Sequence, residues 1–430
     1  MRLKPFGATG HVLWLLCLMY AITYIDRVNV STAAVQFKAE LGLDNTQVGL
    51  VFSFFAWPYL IFQVIGGYIG DKFGARRVLT VCALIWATAT LATGFVGGLT
   101  SMLVARFFLG LGEGATFPTA TRAMSTWTPK EDRGFAQGIT HAAARLGNAA
   151  TPLLVTWLMV AYTWRGSFWI LGGISLLWAL YWGYYFRDNP AEHKNITPAE
   201  ISTLPTLGQA REKVRVPWLA LAKRMAPVTF VYFCYGWTLW LFLSWVPQYF
   251  QHSFGVDIKK AAIFAGISLF GGVVGDTLGG VISDWLLHRT GSLKIARRNV
   301  VIFGFLGIFL SLVPMLLAPS VEVATASLFF GFFFAEICIG PMWAIPMDIA
   351  PKYSGTASGL MNTGSAFAAI VSPVIGGWII DSTGNWDLPF VGSMVLALVG
   401  ATFAFTMRPE RGFTEPGAPA TTGAHAVARS

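Results

Sequence analysis

The chain has 430 residues, of which 55% are hydrophobic and only 12% are charged. Because soluble globular proteins carry about 25% charged residues, this composition excludes a water-soluble fold and indicates a protein embedded in lipid. The net charge of +9 would suit nucleic acid in a soluble protein, but the membrane topology described below accounts for it, and no nucleic-acid partner is expected.

Apolar runs recur along nearly the whole chain. Each is about 20 residues long, which is enough to cross a hydrocarbon core of roughly 30 Å, so the sequence predicts an all-α membrane protein with twelve transmembrane helices. The predicted spans are 11–33, 47–70, 78–97, 100–123, 135–160, 165–186, 225–250, 260–284, 299–318, 322–346, 354–380 and 388–407.

Lysine and arginine are distributed unevenly between the loops on the two sides of the membrane. Most lie on the side of the N-terminus, and the loops of the other side hold only Lys38, Arg165, Lys259 and Lys260. By the positive-inside rule, both termini and the long central loop are predicted to be cytoplasmic, in a multi-pass protein of the cell inner membrane.

The first predicted helix carries an acid next to a base, Asp26 and Arg27, at membrane depth. Neighbours on a helix point about 100° apart, so each side chain needs a partner on another helix or in a cavity. Asp26 can bind a proton, whereas Arg27 cannot lose one. The alternative is that both are structural ions. In the second helix, Tyr59 follows Pro58 and either offers its hydroxyl to a ligand or simply packs.

A loop motif, GGYIGDKFGARR at 66–77, follows the second helix and is echoed in the second half of the chain. Gly67 and Asp71 recur at the same spacing as Gly280 and Asp284, which indicates two pseudo-symmetric halves, as is typical of secondary transporters. The predicted domains are an N-terminal half at 1–186, a cytoplasmic linker at 187–224, a C-terminal half at 225–407 and a cytoplasmic tail at 408–430.

The fourth predicted helix contains Arg106 and Glu113, seven residues apart and therefore on one face, roughly 10 Å apart along the axis. A charge at membrane depth is tolerated mainly where it faces the bundle interior or a watery cavity. A substrate or proton pathway is therefore predicted at both residues. A structural ion pair between them is the alternative, but side chains two turns apart meet poorly.

The fifth predicted helix places Arg145 among small residues. Together with Arg27 and Arg106 it gives three permanent cations against two acids in the N-terminal half, which predicts a positively biased cavity that favours an anion. Alternatively, Arg145 snorkels to the cytoplasmic surface.

The C-terminal half offers fewer candidates. Trp343 could stack on a planar ligand, and Asn362 could hydrogen bond to hydroxyl or carboxyl groups. Asp276 and Glu336 lie inside predicted helices, and a structural or gating role is favoured slightly over substrate contact. The four cysteines fall in four different helices without metal-ligand spacing, so neither a metal site nor a cofactor is predicted.

With these residues in place, the chain resembles the major facilitator superfamily. The loop motif matches that family's motif between its second and third helices at Gly67, Asp71, Arg76 and Arg77, and the resemblance implies that these residues and Asp284 form a cytoplasmic gate. The stretches YIDR at 24–27 and ARFFLGLGEGATFP at 105–118 further resemble the anion:cation symporter family, which includes galactonate, hexuronate, glucarate and phthalate permeases.

The resemblance implies a role for each matching residue. Arg106 is expected to bind the substrate carboxylate, Asp26 and Glu113 to carry protons, and Arg27 to couple them. The residues expected to line the site are Tyr59, Arg145, Trp343 and Asn362. Galactonate-type members have an amide near the site on the fifth helix, whereas this chain has the run AAARLGN with Arg145. This departure disfavours a sugar acid and is compatible with a ligand that bears a second carboxylate or an aromatic ring.

The expected function is import of a small organic carboxylate with protons by alternating access. An aromatic or dicarboxylic acid such as phthalate is slightly favoured, and a sugar acid such as galactonate or glucarate follows closely. A membrane anion sensor and a membrane-embedded enzyme are the alternatives, although no nucleophile-and-base arrangement supports an enzyme. The partners are the anion, protons and the bilayer, and a monomer is expected.

Overall fold

The computed structural model describes residues 7–129, 132–204, 216–317, 320–350 and 353–414, without the side chains of a few helical residues such as Asp71. Most of these residues are helical, and no strand occurs among them. The helices are α1 (Ala8–Leu41), α2 (Asn45–Phe54), α3 (Ala56–Phe73), α4 (Ala75–Thr93), α5 (Leu99–Gly114), α6 (Thr116–Trp127), α7 (Arg133–Tyr185), α8 (Pro198–Ile201), α9 (Trp218–Phe254), α10 (Ile258–Thr290), α11 (Val300–Leu317), α12 (Val321–Ile337), α13 (Ile339–Ile349), α14 (Ser354–Thr383) and α15 (Leu388–Ala404).

These helices form the twelve crossings that the sequence predicts. Eight stretches of the described chain are long and apolar enough to span a membrane, and α15 is a shorter apolar helix. The second, fourth and tenth crossings each consist of two consecutive helices, α2 with α3, α5 with α6, and α12 with α13. The long α7 contains the fifth and sixth crossings, which are joined at Thr163, where φ is 78°.

A proline follows each of the three breaks within a crossing. The ring of a proline clashes with the carbonyl of the residue four positions earlier and removes a backbone hydrogen bond. Pro58, Pro118 and Pro341 each lie four residues after the last residue of the preceding helix, which is Phe54, Gly114 or Ile337. The fourth crossing, predicted as one span at 100–123, is therefore broken at Ala115, close to Glu113.

Two helix ends extend well beyond the predicted spans. The first helix continues to Leu41 rather than residue 33 and ends at Gly42, whose left-handed backbone (φ 64°) lets its N–H cap the carbonyl of Lys38. The seventh crossing begins at Trp218 rather than residue 225. Hydropathy marks only the apolar part of a helix, whereas capping and proline decide where it begins and ends.

The two halves meet along four helix pairs, α1 with α9, α7 with α10, and both α2 and α3 with α14. We call the membrane side on which α1 begins and α15 ends the terminal side, and the other the opposite side. On the opposite side, Asp381 of α14 accepts hydrogen bonds from the backbone and side chains of Asn45 and Thr46 in α2, at 2.6 to 3.1 Å. The carboxylate thus caps the first turn of a helix in the other half.

Candidate functional site

Arg27 of α1 and Glu113 of α5 form a buried ion pair. The Nε of Arg27 donates a 2.8 Å hydrogen bond to Oε2 of Glu113. Glu113 has no exposed surface, and Arg27 is 6% exposed. Within the described residues, Nη2 of Arg27 and Oε1 of Glu113 have no hydrogen-bond partner. The pair balances its own charges and still leaves one donor and one acceptor for another group.

Glycines beside Glu113 allow α3 to approach α5 closely. A Cβ atom at Gly110 would collide with the carbonyl oxygen of Phe55, and one at Gly114 would lie 2.7 Å from Cβ of Phe62. Small residues are what permit such close backbone contact between membrane helices. The carboxylate of Glu113 is therefore held in a narrow space next to α3.

Aromatic rings surround the guanidinium of Arg27. Its central carbon Cζ lies 4.7 to 5.2 Å from four ring centroids of the N-terminal half and 6.0 Å from a fifth ring, which belongs to the C-terminal half. The rings are those of Tyr24, Tyr59, Phe55, Phe117 and Trp240. Cation–π attraction is strongest where water is excluded, so these rings help to hold a buried cation. The predicted ligand contact Tyr59 therefore packs on Arg27.

Arg106, which also belongs to α5, has no carboxylate partner among the described residues. It is 4% exposed, and its Nε donates a 3.1 Å hydrogen bond to the carbonyl oxygen of Val51. No described carboxylate lies within ion-pair distance of it, although Asp26 and Glu113 are near enough to interact electrostatically. A buried cation without a counter-ion is costly, so this position suits an external anion.

Asp26 faces away from its neighbour Arg27, as the helical geometry predicts. Its Oδ2 accepts a 3.3 Å hydrogen bond from the hydroxyl of Ser175 in α7, and its Oδ1 has no partner among the described residues. The residue is 2% exposed. A buried carboxyl group with one weak hydrogen bond, and with no cation of the described residues within ion-pair distance, can hold a proton.

Arg145 of α7 binds two carboxylates of the C-terminal half. Its Nε donates a 3.2 Å hydrogen bond to Oδ2 of Asp276 in α10, and its Nη2 lies 2.9 Å from Oε2 of Glu336 in α12. Tyr235 of α9 donates a 3.0 Å hydrogen bond to Oε1 of Glu336. Arg145 is 5% exposed, so the alternative that it snorkels to the surface is wrong. We call Arg145, Asp276 and Glu336 the inter-half triad.

The inter-half triad corrects the predicted charge balance. The sequence argument counted three arginines against the two acids of the N-terminal half and expected a positive cavity. With Asp276 and Glu336 included, four carboxylates face three arginines, because the arginine side of α7 packs against α10 rather than only against its own half. The sign of the net charge on these seven side chains then depends on how many of the four carboxylates hold a proton.

Two predicted site residues of the C-terminal half already have protein partners. The indole N–H of Trp343 donates a 2.9 Å hydrogen bond to the hydroxyl of Tyr232. The amide nitrogen of Asn362 in α14 donates a 2.8 Å hydrogen bond to Oε1 of Gln63 in α3, across the two halves. Both residues are only partly buried, and a ligand would compete with these contacts.

The predicted gate residues divide between the two halves on the terminal side. The surroundings of Gly67 and of the Asp71 side chain lie outside what the structure describes. Arg76 donates from Nε to the carbonyl oxygen of Gly183 at 2.8 Å, and Arg77 is exposed. In the C-terminal half, Asp284 accepts a 3.1 Å hydrogen bond from Arg297, which also binds Asp348 at 3.1 Å. These described contacts join helices of one half to each other.

Sequence reasoning missed two features of this region. Asn148, one turn after Arg145 on α7, is completely buried, and neither atom of its amide has a partner in the described part of the chain. Its spacing of three residues from Arg145 is the signal that would have identified it. No local sequence pattern indicates that Asp381 caps α2, because its partners lie more than 330 residues away in the sequence.

Three comparisons place this geometry among known proteins. The model of the Major Facilitator Superfamily matches residues 16–373 and 292–430. A probable sulfoacetate transporter of Cupriavidus necator is 47% identical, over 93% of this chain and 93% of that protein. A probable galactarate/D-glucarate transporter of Escherichia coli is 32% identical, over 90% and 91%. A bacterial homologue of the human lysosomal transporter Spinster, solved facing inward, superimposes with a TM-score of 0.74 at 16% identity, over 94% and 98%.

Proposed function

The chain belongs to the Major Facilitator Superfamily, and we propose that it imports a small organic carboxylate together with protons by alternating access. The family and the relatives found are transporters, not enzymes. Relatives named for sulfoacetate and for the sugar acids galactarate and glucarate support an organic anion as the substrate.

The main support for the proposal is Arg106 of α5, which has no ion-pair partner among the described residues. Arg106 is buried, and no described carboxylate lies within ion-pair distance of it. It also lies about 10 Å nearer the opposite side than Glu113, since α5 rises 1.5 Å per residue from that side. An anion that enters from the opposite side therefore reaches Arg106 before it reaches the acids.

Glu113 and Asp26 are the proposed proton carriers. When Glu113 accepts a proton, Arg27 loses its charged partner, but the aromatic rings around it continue to stabilise the guanidinium. The cavity then holds Arg27 and Arg106 as uncompensated cations, which favours binding of the anion. Once the cavity opens to the terminal side, deprotonation restores the ion pair between Arg27 and Glu113 and expels the anion. Arg27 thus couples proton and anion.

The proposed substrate carries two acidic groups. Sulfoacetate has a carboxylate and a sulfonate, and phthalate has two carboxylates on an aromatic ring. Arg106 and Arg145 are proposed to receive one group each, and Tyr59, Trp343 and Asn362 to line the space between the halves. Sugar acids such as galactonate or glucarate remain the second class to test.

The remaining predictions are proposed for the same molecule. The chain is proposed to be a monomer of the cell inner membrane with both termini in the cytoplasm, and the terminal side is then the inner side. The two halves, 1–186 and 225–407, move against each other, and the linker 187–224 and tail 408–430 remain cytoplasmic. Gly67, Asp71, Arg76, Arg77 and Asp284 are the proposed gate residues.

Uptake into proteoliposomes tests the proposal. The purified protein is reconstituted, an inward proton gradient is imposed, and uptake of sulfoacetate, phthalate and galactonate is compared. We expect concentrative uptake of at least one acid by the wild type. The Glu113→Gln variant is expected to exchange that acid across the membrane without concentrating it. Concentration by Glu113→Gln as strong as by the wild type would refute the role of Glu113, and failure of the wild type to exchange any of these acids would refute the function.

A further inference from the structure

We propose that Glu336 is an additional proton-binding site, in the C-terminal half, and that it takes up a proton when Arg145 leaves it to bind the second acidic group of the substrate. This inference rests on the proposed function, because it requires an anionic substrate between the halves. It adds a proton for each doubly charged anion beyond those carried by the acids of the N-terminal half.

The ion pair between Arg145 and Glu336 has a geometry that allows it to break when a ligand binds. Nη2 of Arg145 lies 2.9 Å from Oε2 of Glu336, yet the two atoms lack hydrogen-bond alignment, and Oε2 has no donor among the described residues. Nη1 of Arg145 is also buried without a partner in the described chain. An arginine with an unused, fully buried donor has capacity for one more anionic group.

The arginine rather than the glutamate is the partner that can move. A Cβ at Gly272 would lie 3.1 Å from Cγ of Glu336, so α10 packs directly against the stem of the side chain. The other oxygen, Oε1, is held by the hydroxyl of Tyr235 at 3.0 Å. By contrast, Arg145 ends in a long flexible side chain. Among the described residues, its guanidinium contacts the two carboxylates and lies 5.8 Å from the ring centroid of Tyr24.

Several titratable groups surround this exchange, and they lie on α1, α7, α9 and α10 and just beyond the end of α12. Arg145 is the only permanent cation among those that interact with Glu336 in the described residues. The neighbouring groups are His141 on α7, Tyr232 and Tyr235 on α9, Asp276 on α10, Cys338 beyond the end of α12 and Tyr24 on α1. None of the neutral groups replaces the positive charge of Arg145 once it has moved.

The charge balance therefore demands a proton on Glu336. Glu336 has no exposed surface, and a carboxylate left there without its cation would be strongly destabilised. A proton from the aqueous phase that binds at Oε2 makes the group neutral while Tyr235 still donates to Oε1. The side chain of Asp276 is 17% exposed and can keep its charge in contact with water. Of the two acids, Glu336 is thus the one that must be protonated.

Proton uptake on binding tests the inference in the full-length protein. Sulfoacetate is titrated into purified protein at pH 8 in two buffers that differ in ionisation enthalpy, which gives the number of protons bound per ligand. Glycolate, in which a hydroxyl replaces the sulfonate, is the matched ligand. We expect the wild type to take up about one proton more with sulfoacetate than with glycolate, because only sulfoacetate displaces Glu336 from Arg145.

Two variants assign the extra proton. Glu336→Gln mimics the protonated acid and is expected to take up about one proton fewer than the wild type when it binds sulfoacetate. The change in its Kd per pH unit is then expected to be about tenfold smaller than that of the wild type. Asp276→Asn, the matched loss of the other carboxylate, is expected to keep the wild-type number of protons at whatever affinity it shows.

The outcomes separate this inference from the function on which it rests. Equal proton numbers for sulfoacetate and glycolate in the wild type would overturn the inference even if no variant folds. Loss of the proton in Asp276→Asn instead of Glu336→Gln would overturn the assignment to Glu336. If the wild type exchanges none of the acids across proteoliposomes, the transport function itself fails.

Discussion

The contact of Asp381 with α2 predicts how the opposite side is kept closed. Asp381→Ala removes four hydrogen bonds, two of them from backbone N–H groups in the first turn of α2. These N–H groups have no acceptor within their own helix. Since α2 and α14 belong to different halves, the loss weakens the closed arrangement of that side and leaves each half intact.

The magnitude follows from the local environment. Loss of a helix N-cap costs about 1 kcal/mol, and the two side-chain hydrogen bonds add less than that because water competes for the exposed carboxylate. The total is about 1 to 2 kcal/mol, which corresponds to a change of about 5- to 30-fold in the ratio of open to closed molecules. We therefore expect a measurable open population in the variant.

Distances between spin labels on exposed positions of the two halves measure this ratio. Thr100→Cys and Ser253→Cys lie on the opposite side, one in each half, and the four native cysteines are buried. In Asp381→Ala the long-distance population should increase. Asp257→Ala is the matched control, because Asp257 caps Lys259 and Lys260 of its own helix, so its loss should leave the distances unchanged. An unchanged distribution in folded Asp381→Ala would refute the closure role.

Three further predictions concern the anion site, the glycine contacts and the linker. Arg106→Gln should abolish detectable exchange of the substrate, whereas Arg165→Gln, at a partly exposed arginine, should retain it. Gly110→Ala should lower the Tm by several degrees because its Cβ collides with Phe55, while Gly359→Ala, with open space, should not. Burial raises the pKa of Glu200, but hydrogen bonds from Thr197 and Thr9 outweigh it and hold the pKa below its ordinary value. The stabilisation is thus present above about pH 4.3, the unfolded value, and is lost as the pH falls through the lower folded pKa. The protection factor of the Thr9 amide, which is the intrinsic exchange rate divided by the observed rate, should fall over that range in the wild type and be low at every pH in Glu200→Gln.

The membrane crossings could be predicted from the sequence because the hydropathy and length of each helix depend only on its own residues. Twelve apolar runs predicted twelve crossings, whereas proline alone could not have located the breaks within them, because Pro152, Pro247 and Pro373 lie inside continuous helices. The sequence also favours close approach of a neighbouring backbone at Gly110 and Gly114, since only small residues permit such contact, but it does not identify α3 as that neighbour.

The partners of the buried charged side chains could not be predicted from the sequence in this way. Helical spacing showed that Arg106 and Glu113 share a face and that Asp26 and Arg27 diverge, but it could not show that Arg27 pairs with Glu113, 86 residues away. The contacts of Arg145 with Asp276, 131 residues away, and with Glu336 depend on how α7 of one half faces α10 and α12 of the other. That placement is set by the packing of whole helices, which no local pattern encodes.

The contrast between Arg106 and Arg145 gives the order in which a doubly charged anion would bind. Arg106 has no described carboxylate to displace, so the first acidic group binds there without competition. Arg145 is shared by Asp276 and Glu336, so the second group binds only if the substrate displaces a resident carboxylate. A singly charged anion gains nothing from that displacement. In the proposed mechanism, the second acidic group of a dianion therefore competes with a resident carboxylate at the inter-half triad. This competition is linked to the contact between the two halves, because Arg145 belongs to one half and both carboxylates to the other.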